Sequence, residues 1–266
     1  VASTDLVKPS DYQSLAPQTL DIVRDAIGTG QLREFDLKRV RMATGGGLFW
    51  NVPSLDGEEA VKELQGVILH HKQSRTYWER EYDGSNEPPD CSSPNAVIAR
   101  PREVENDDPD APAEFFQPPA QQIEQGQGLT PLYHCETCAF AQWGSKVRGG
   151  KQTKGQACKL SRQVFLLAPV TRLPLVVNLP PTSLRAVTDY LLNLVDYGVD
   201  HRQVVTRITL ERKESAGVPP YAVAKFATGE RLDADQFELA VAYSNMLAPA
   251  FEQVTPDRDD VDVAAA

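Results

Sequence analysis

The chain carries four cysteines, Cys91, Cys135, Cys138 and Cys158, and their spacing limits what its middle can fold into. Cys135-x-x-Cys138 is a chelating pair, because two intervening residues let both thiolates face one ion. Zinc takes four ligands in a tetrahedron, and Cys91 and Cys158 are the thiols left to complete the set. Gly144, Gly149, Gly150 and Gly155 let the chain between Cys138 and Cys158 turn back on itself. A metal would order a segment that has little apolar material of its own. The sequence therefore predicts one structural zinc ion held by Cys91, Cys135, Cys138 and Cys158. Other readings compete. A CxxC pair does redox work in a thioredoxin-like strand-to-helix context, which is missing here. Two disulfides suit a secreted chain, and Val1 to Lys8 lacks the basic-then-apolar pattern of a secretory signal. His134 is an alternative ligand to one of the thiols.

Nothing in the sequence demands catalysis. Catalytic zinc keeps an open position beside His or carboxylate ligands, whereas here all the ligands can be thiolates. His70, His71 and His201 form no HExxH motif, and adjacent residues of a strand point to opposite faces. Gly45-Gly46-Gly47 lacks the Lys-Ser/Thr that follows in a P-loop, and no GxSxG occurs. No catalytic residue is assigned, and the chain is read as a non-enzyme.

Pattern along the chain predicts a mainly β molecule with helices. Pro17 to Ile27 reads as a short helix within a lead-in covering residues 1–34. Strand patterns follow over Phe35 to Val52 and Ala60 to Glu79, with Gly45 to Gly47 marking a bulge, bend or hairpin turn. From 83 to 131 the composition shifts to Pro, Asp, Glu, Gln and Gly, an irregular and partly disordered stretch that opens a zinc-bearing insertion over 83–162. Strands return at Val164 to Ala168 and Leu173 to Leu179, separated by a turn. A helix follows, capped by Thr182 or Ser183 and stopped by Gly198. Val204 to Arg212 and Tyr221 to Ala227 are further strands, and a last helix starts near Asp233. Three strands, a helix and two more strands match a five-stranded Greek-key barrel of the OB type. The expected architecture is thus an OB-like domain over 35–251 with the zinc-bearing insertion, followed by an acidic tail over 252–266.

The net charge of −10 argues at first against a polyanionic partner. The charge is segregated, however. Lys146, Arg148, Lys151, Lys154, Lys159 and Arg162 crowd the segment after Cys138, where Glu136 is the only acid between His134 and Gln163. Acid concentrates around Asp107, Asp108 and Asp110, and in a tail with Asp257, Asp259, Asp260 and Asp262. Such a tail either competes with nucleic acid and recruits replication or recombination proteins, or simply solubilises the terminus. No run is long and apolar enough to span a bilayer, and the chain is read as cytoplasmic with no membrane partner.

Proteins bind single-stranded nucleic acid by lining a cationic groove with aromatic faces on which bases stack. The three tryptophans each lie beside basic residues. Lys38, Arg39 and Arg41 precede Phe49 and Trp50; Lys72 and Arg75 precede Tyr77 and Trp78; Phe140 and Trp143 precede Lys146, Arg148, Lys151, Lys154 and Lys159. Each aromatic has a plain alternative as core filler, and each lysine as an ordinary solvated charge. Their coincidence in three places favours a single-stranded nucleic acid, contacted through Lys38, Arg39, Arg41, Trp50, Lys72, Arg75, Tyr77, Trp78, Trp143, Lys146, Arg148, Lys151, Lys154 and Lys159. The rival is a zinc-stabilised protein-interaction or transcription-regulating module.

Several segments also form a recognisable set: Gly66-Val67-Ile68-Leu69, Tyr77-Trp78, Pro88 to Ser93, Cys135 to Ser145, Gly155 to Lys159 and Leu179 to Leu184. Together they resemble a group of phage and mobile-element proteins similar in design to zinc-containing, OB-fold single-stranded DNA-binding proteins. The resemblance covers roughly residues 35–250. It implies an OB-type domain, four cysteine ligands, single-stranded DNA as ligand and a role in replication or recombination. Ser92 to Ala99 is poorer in glycine than the pattern.

Overall fold

A computed structural model of the chain describes residues 17–27, 37–43, 47–80, 87–104, 113–125, 129–169, 171–215 and 218–258. The lead-in apart from its helix, Phe35, Gly45 and Gly46, the acids Asp107, Asp108 and Asp110, and the tail beyond Arg258 lie outside the described residues.

The first helix, α1, spans Pro17–Ile27, with proline at the end where its missing N–H costs nothing. Strands β1 (Arg39–Met42) and β2 (Trp50–Pro53) pair antiparallel with Met42 opposite Trp50, so a hairpin joins them. β3 (Glu58–Val61) extends that hairpin, and β4 (Glu63–Tyr77) is a single long strand. The segment expected to be irregular holds short strands instead: β5 (Cys91–Ser93), β6 (Ile98–Pro101), β7 (Glu103–Val104), β8 (Glu114–Phe115), β9 (Gln122–Ile123) and β10 (Leu132–His134). Elements this short show no periodicity, which is why composition alone dominates there. β11 (Val147–Arg148) and β12 (Lys151–Gln152) form a hairpin, followed by β13 (Lys159–Leu167) and β14 (Leu175–Leu179). Then come α2 (Leu184–Asp196), β15 (Val204–Ser215), β16 (Val218–Arg231) and α3 (Ala234–Gln253).

The helix ends follow local chemistry. Asp233 accepts from the Gln236 backbone N–H while the Gln236 side chain accepts from Asp233 N–H, a capping box that starts α3. Gly198, at φ +66°, follows α2 where a Cβ would be strained. Ser183 sits at the N-cap of α2 but makes no cap bond; its Oγ accepts from Ala224 N–H at 2.9 Å, tying the helix start to β16.

The protein is mixed α and β, and the described residues divide into two compact units. The first comprises the described residues within 17–71 and 162–254, and the second those within 72–161 and 255–258. β4 and β13 run from one into the other. In the first unit the strands are ordered β3-β2-β1-β14-β13-β4-β15-β16, with β1 parallel to β14, and with β1–β2, β2–β3, β13–β14, β4–β15 and β15–β16 antiparallel. Among the described residues the sheet stays open, and a closed barrel is not seen. The reason lies in the unbroken run Val164-Phe165-Leu166-Leu167. Val164 and Leu166 enter a cluster with Val187, Leu191 and Leu194 of α2, while Phe165 and Leu167 enter another with Ala240, Tyr243, Leu247 and Phe251 of α3. Strands apolar on both sides need cover on both sides, and a helix supplies it on each.

Buried polar groups bind the layers together. Tyr190 Oη of α2 and Thr206 Oγ1 lie 2.8 Å apart, and Ser244 Oγ of α3 donates to the Leu69 carbonyl at 2.7 Å. Gly66 allows the closest backbone approach: a Cβ there would fall 2.6 Å from Leu166 Cγ and 2.7 Å from the Leu167 carbonyl oxygen. Gly66→Ala therefore overpacks the sheet and lowers unfolding stability by about 1–3 kcal/mol, read as a shift of the urea midpoint.

The first unit also holds a histidine cluster. The His71 ring lies 5.0 Å from that of His201. Burial first, then the charges of His201 and Arg162, hold the His71 pKa down to about 3. Burial also lowers His201. A histidine neutral when folded but free to protonate when unfolded contributes stability above its ordinary pKa and loses it as pH falls from about 6.5 toward 3. The urea midpoint should thus fall between pH 7 and pH 5, and His71→Gln should flatten that dependence.

Candidate metal centre and nucleic-acid surface

The second unit is built on the far end of β4. β5 pairs with it, Cys91 opposite Tyr77, and the sheet continues through β6, β10 and β9. This places Cys91 on a strand and Cys135 directly after another, where Cys135 N–H donates to the Val97 carbonyl at 2.9 Å. Two successive 3₁₀ turns, Cys135–Thr137 and Ala139–Ala141, then wrap the chain around the CxxC pair. Cys138 N–H donates to the Cys135 carbonyl at 3.2 Å and Ala141 N–H to the Cys138 carbonyl at 3.0 Å. Cys158 returns to the same turn by donating its N–H to the Phe140 carbonyl at 2.8 Å. Gln156 and Ser145 fix the returning strand: Gln156 Nε2 donates to the Ala141 carbonyl at 2.6 Å, and Ser145 Oγ to that of Phe140 at 2.8 Å.

All four thiols are buried and none is in a disulfide. Burial pushes Cys158 up to about 12 and drives Cys91 and Cys135 upward as well. The next cause for Cys91 is the negative charge its neighbours Cys158, Cys135 and Cys138 would carry, so the four share one electrostatic neighbourhood. Cys135 and Cys158 are partly eased by Ser93 and Arg75 respectively. Among the described residues no group of three or more Cys, His, Asp or Glu side chains is arranged so that it could hold a metal ion as placed. The donor set itself suits one: Cys158, Cys135 and Cys138 oppose ionisation of Cys91, and a divalent cation would reverse that repulsion by binding thiolates. His134 keeps to the end of β10 and is half-buried.

Tyr77 packs between the two thiol pairs. It touches the cluster of Cys91 and Cys135 and that of Cys138 and Cys158, and stacks on Phe140 at 4.3 Å with rings 16° apart. Tyr77 is therefore a wedge in the cysteine core and offers no free face to a base. Trp50 is likewise removed from the contact set. It is 0% exposed and packs with Val40, Leu64 and Ile68 in the first unit's core, because Met42 and Val40 on the paired strand face the same way. Its neighbour Phe49 faces out instead. Lys72 is also buried, which takes it off any phosphate-binding surface. Arg75 is half-buried and turned toward the Cys158 carbonyl.

The remaining assigned residues fall into separate groups. Lys38 is exposed on the approach to β1, with Arg39 and Arg41 half-buried on the strand. Trp78 is half-buried, its indole N–H donating to the Glu87 carbonyl at 3.0 Å. The loop between Cys138 and Cys158 holds the open group. Trp143 is 78% exposed, and just beyond it β11 and β12 turn through Gly149 and Gly150, both at positive φ. Arg148 stands opposite Lys151 on this hairpin. Arg148, Lys151 and Lys154 are exposed, and among the described residues none has an ion-pair partner. Lys146 and Lys159 are half-buried. Two contributors were missed in the sequence: Ser93, whose side chain bonds Cys135, and Arg258, whose contacts lie far along the chain. The isolated arginine among the tail's aspartates was the available signal for the second.

Raised thiol pKa values make a direct expectation. At pH 8, iodoacetamide should modify Cys91, Cys135 and Cys158 far more slowly in the folded chain than in guanidinium. Modification at equal rates would show that these thiols are not held as described.

Comparison with family models, curated proteins and solved structures finds no match to this chain.

Proposed function

We propose that the chain binds single-stranded DNA without strong sequence preference and without catalysis, using a zinc-stapled unit to present its contact surface. The observation that carries this reading is Trp143, a large indole left 78% exposed next to a hairpin of unpaired cations. A single exposed indole is common on a protein surface; what singles this one out is that exposed cations follow it along the same loop. Together they match the two demands of a single strand: a flat face for a base and positive charge for the flanking phosphates. Lys146, Arg148, Lys151, Lys154 and Lys159 supply that charge on the loop; Lys38, Arg39 and Arg41 are a second basic group on the other unit.

The proposed metal is a structural zinc bound by Cys91, Cys135, Cys138 and Cys158. It would set the loop's shape by tying its two ends, and it needs no role in binding beyond that. The finer OB-type reading belongs to the same proposal. Its support is the chain order, with α2 between β14 and β15 and two strands before α3. So do a role in phage or mobile-element replication or recombination, recruitment of such proteins by the acidic tail, and a cytoplasmic site of action; the resemblance in the sequence motifs supports them.

Titration with oligo-dT should quench tryptophan fluorescence, and affinity should fall as salt rises. Trp143→Ala should weaken binding by about 1–3 kcal/mol. Arg148→Ala combined with Lys151→Ala should flatten the salt dependence. Unchanged binding in these variants would move the reading to a protein-interaction module. Separately, protein purified without chelator should carry about one zinc per chain, and Cys135→Ser should release it with partial unfolding.

A further inference from the structure

Trp78 differs from Trp143 in what already lies on its ring. The guanidinium carbon of Arg258 stands 5.8 Å from the centre of the Trp78 ring. Its Nη2 donates to the Arg80 carbonyl at 2.5 Å, and its Nη1 lies 3.7 Å from Glu87 Oε2. The Arg258 side chain is 1% exposed. Glu87 is thereby used twice, since its carbonyl accepts the Trp78 indole N–H and its carboxylate faces the arginine. Residues 255–258 belong to the second compact unit, although α3 before them belongs to the first. The chain thus leaves its last long helix and returns to cover an aromatic ring in the unit that carries the cysteines.

A buried arginine needs partners for its charge, and this one has a carbonyl, a carboxylate and an aromatic face. The guanidinium group is flat, delocalised and weakly hydrated, so it stacks on an indole much as a base does. We propose that Arg258 is an internal substitute for a nucleobase: residues 255–258 cover Trp78, and a bound single strand displaces them to stack there. This rests on the single-stranded-DNA reading and gives it a regulatory contact. Trp143 is open and makes the first contact. Trp78 becomes available only by exchange, and its net contribution to affinity is the difference between stacking a base and stacking Arg258. The fixed carbonyl and carboxylate partners make the covered state the default.

The test uses the full chain carrying Trp143→Phe, so that the remaining fluorescence comes from Trp78 and the buried Trp50. Adding Arg258→Ala should raise acrylamide quenching without DNA and tighten oligo-dT binding about three- to tenfold. Equal or weaker oligo-dT binding, with circular dichroism unchanged, overturns the proposal. A second measurement avoids any folding defect in the variant. In the unmodified chain, saturating oligo-dT should speed amide hydrogen exchange across residues 255–258; exchange that stays the same or slows overturns the proposal. The two levels separate cleanly. Absence of any oligo-dT binding by the unmodified chain at low salt removes the functional reading together with this contact, whereas binding with unchanged exchange removes the contact alone.

Discussion

The second unit depends on four buried sulfur atoms standing where a hydrophobic core would otherwise be. Its apolar clusters are small: Cys91 and Cys135 with Ala99 and Tyr133 in one, Cys138 and Cys158 with Ala141 in the other. Tyr77 bridges them. Thiols behave as small hydrophobes while protonated, and burial raises their pKa toward that state. As a core this is thin, because neither cluster has the aliphatic depth found in the first unit. A cation bound by the same four atoms would replace weak packing with directed bonds. The proposed zinc would thus add to a unit whose own apolar core is small.

The first unit solves the opposite problem. Its strands carry more apolar side chains than one face can bury, so the sheet has a helix on each side and the core has two halves. Trp50 lies on β2, second from the sheet's edge, and fills the half of the core that α2 covers, so it offers no face to a ligand. What remains available is the rim and the loops, and the exposed indole is on a loop. Rigid scaffolds commonly place recognition on their connections in this way.

Much of this was legible in the sequence for identifiable reasons. The bounds of α1 and α3 follow from Pro17 and from the Asp233–Gln236 box, which are local signals. The turns around Gly149 and Gly150 could be read because only glycine is at ease at positive φ. Period two states that Phe49 and Trp50 face opposite ways, but it does not say which faces in. That choice is made by pairing of β1 with β2, across a hairpin. The run Val164 to Leu167 announces a strand buried on both sides, and the closed barrel was inferred by counting elements without asking what covers the second face. The four thiols were grouped from their spacing; all four are buried and outside any disulfide, and among the described residues no three metal-ligating side chains are arranged to hold an ion. Arg258 could not be placed, since its partner Arg80 is 178 positions away.

Proximity of cations and aromatics in sequence is thus a weaker guide than their separation in burial. All three tryptophans have basic neighbours in the chain, yet one is core, one is covered by an arginine and one is open. The basic residues sort the same way: Lys72 is buried and Arg75 is turned to a backbone carbonyl, whereas Arg148, Lys151 and Lys154 stand in solvent. A charge fixed inside the fold has already spent its attraction on protein atoms, and an indole in a packed core has no face left. Among the described residues the loop between Cys138 and Cys158 keeps both, an exposed indole and exposed cations. The proposed ligand surface and the proposed metal share that loop, so the bonds that tie it, from Cys158 N–H to the Phe140 carbonyl and from Gln156 Nε2 to the Ala141 carbonyl, bear on both.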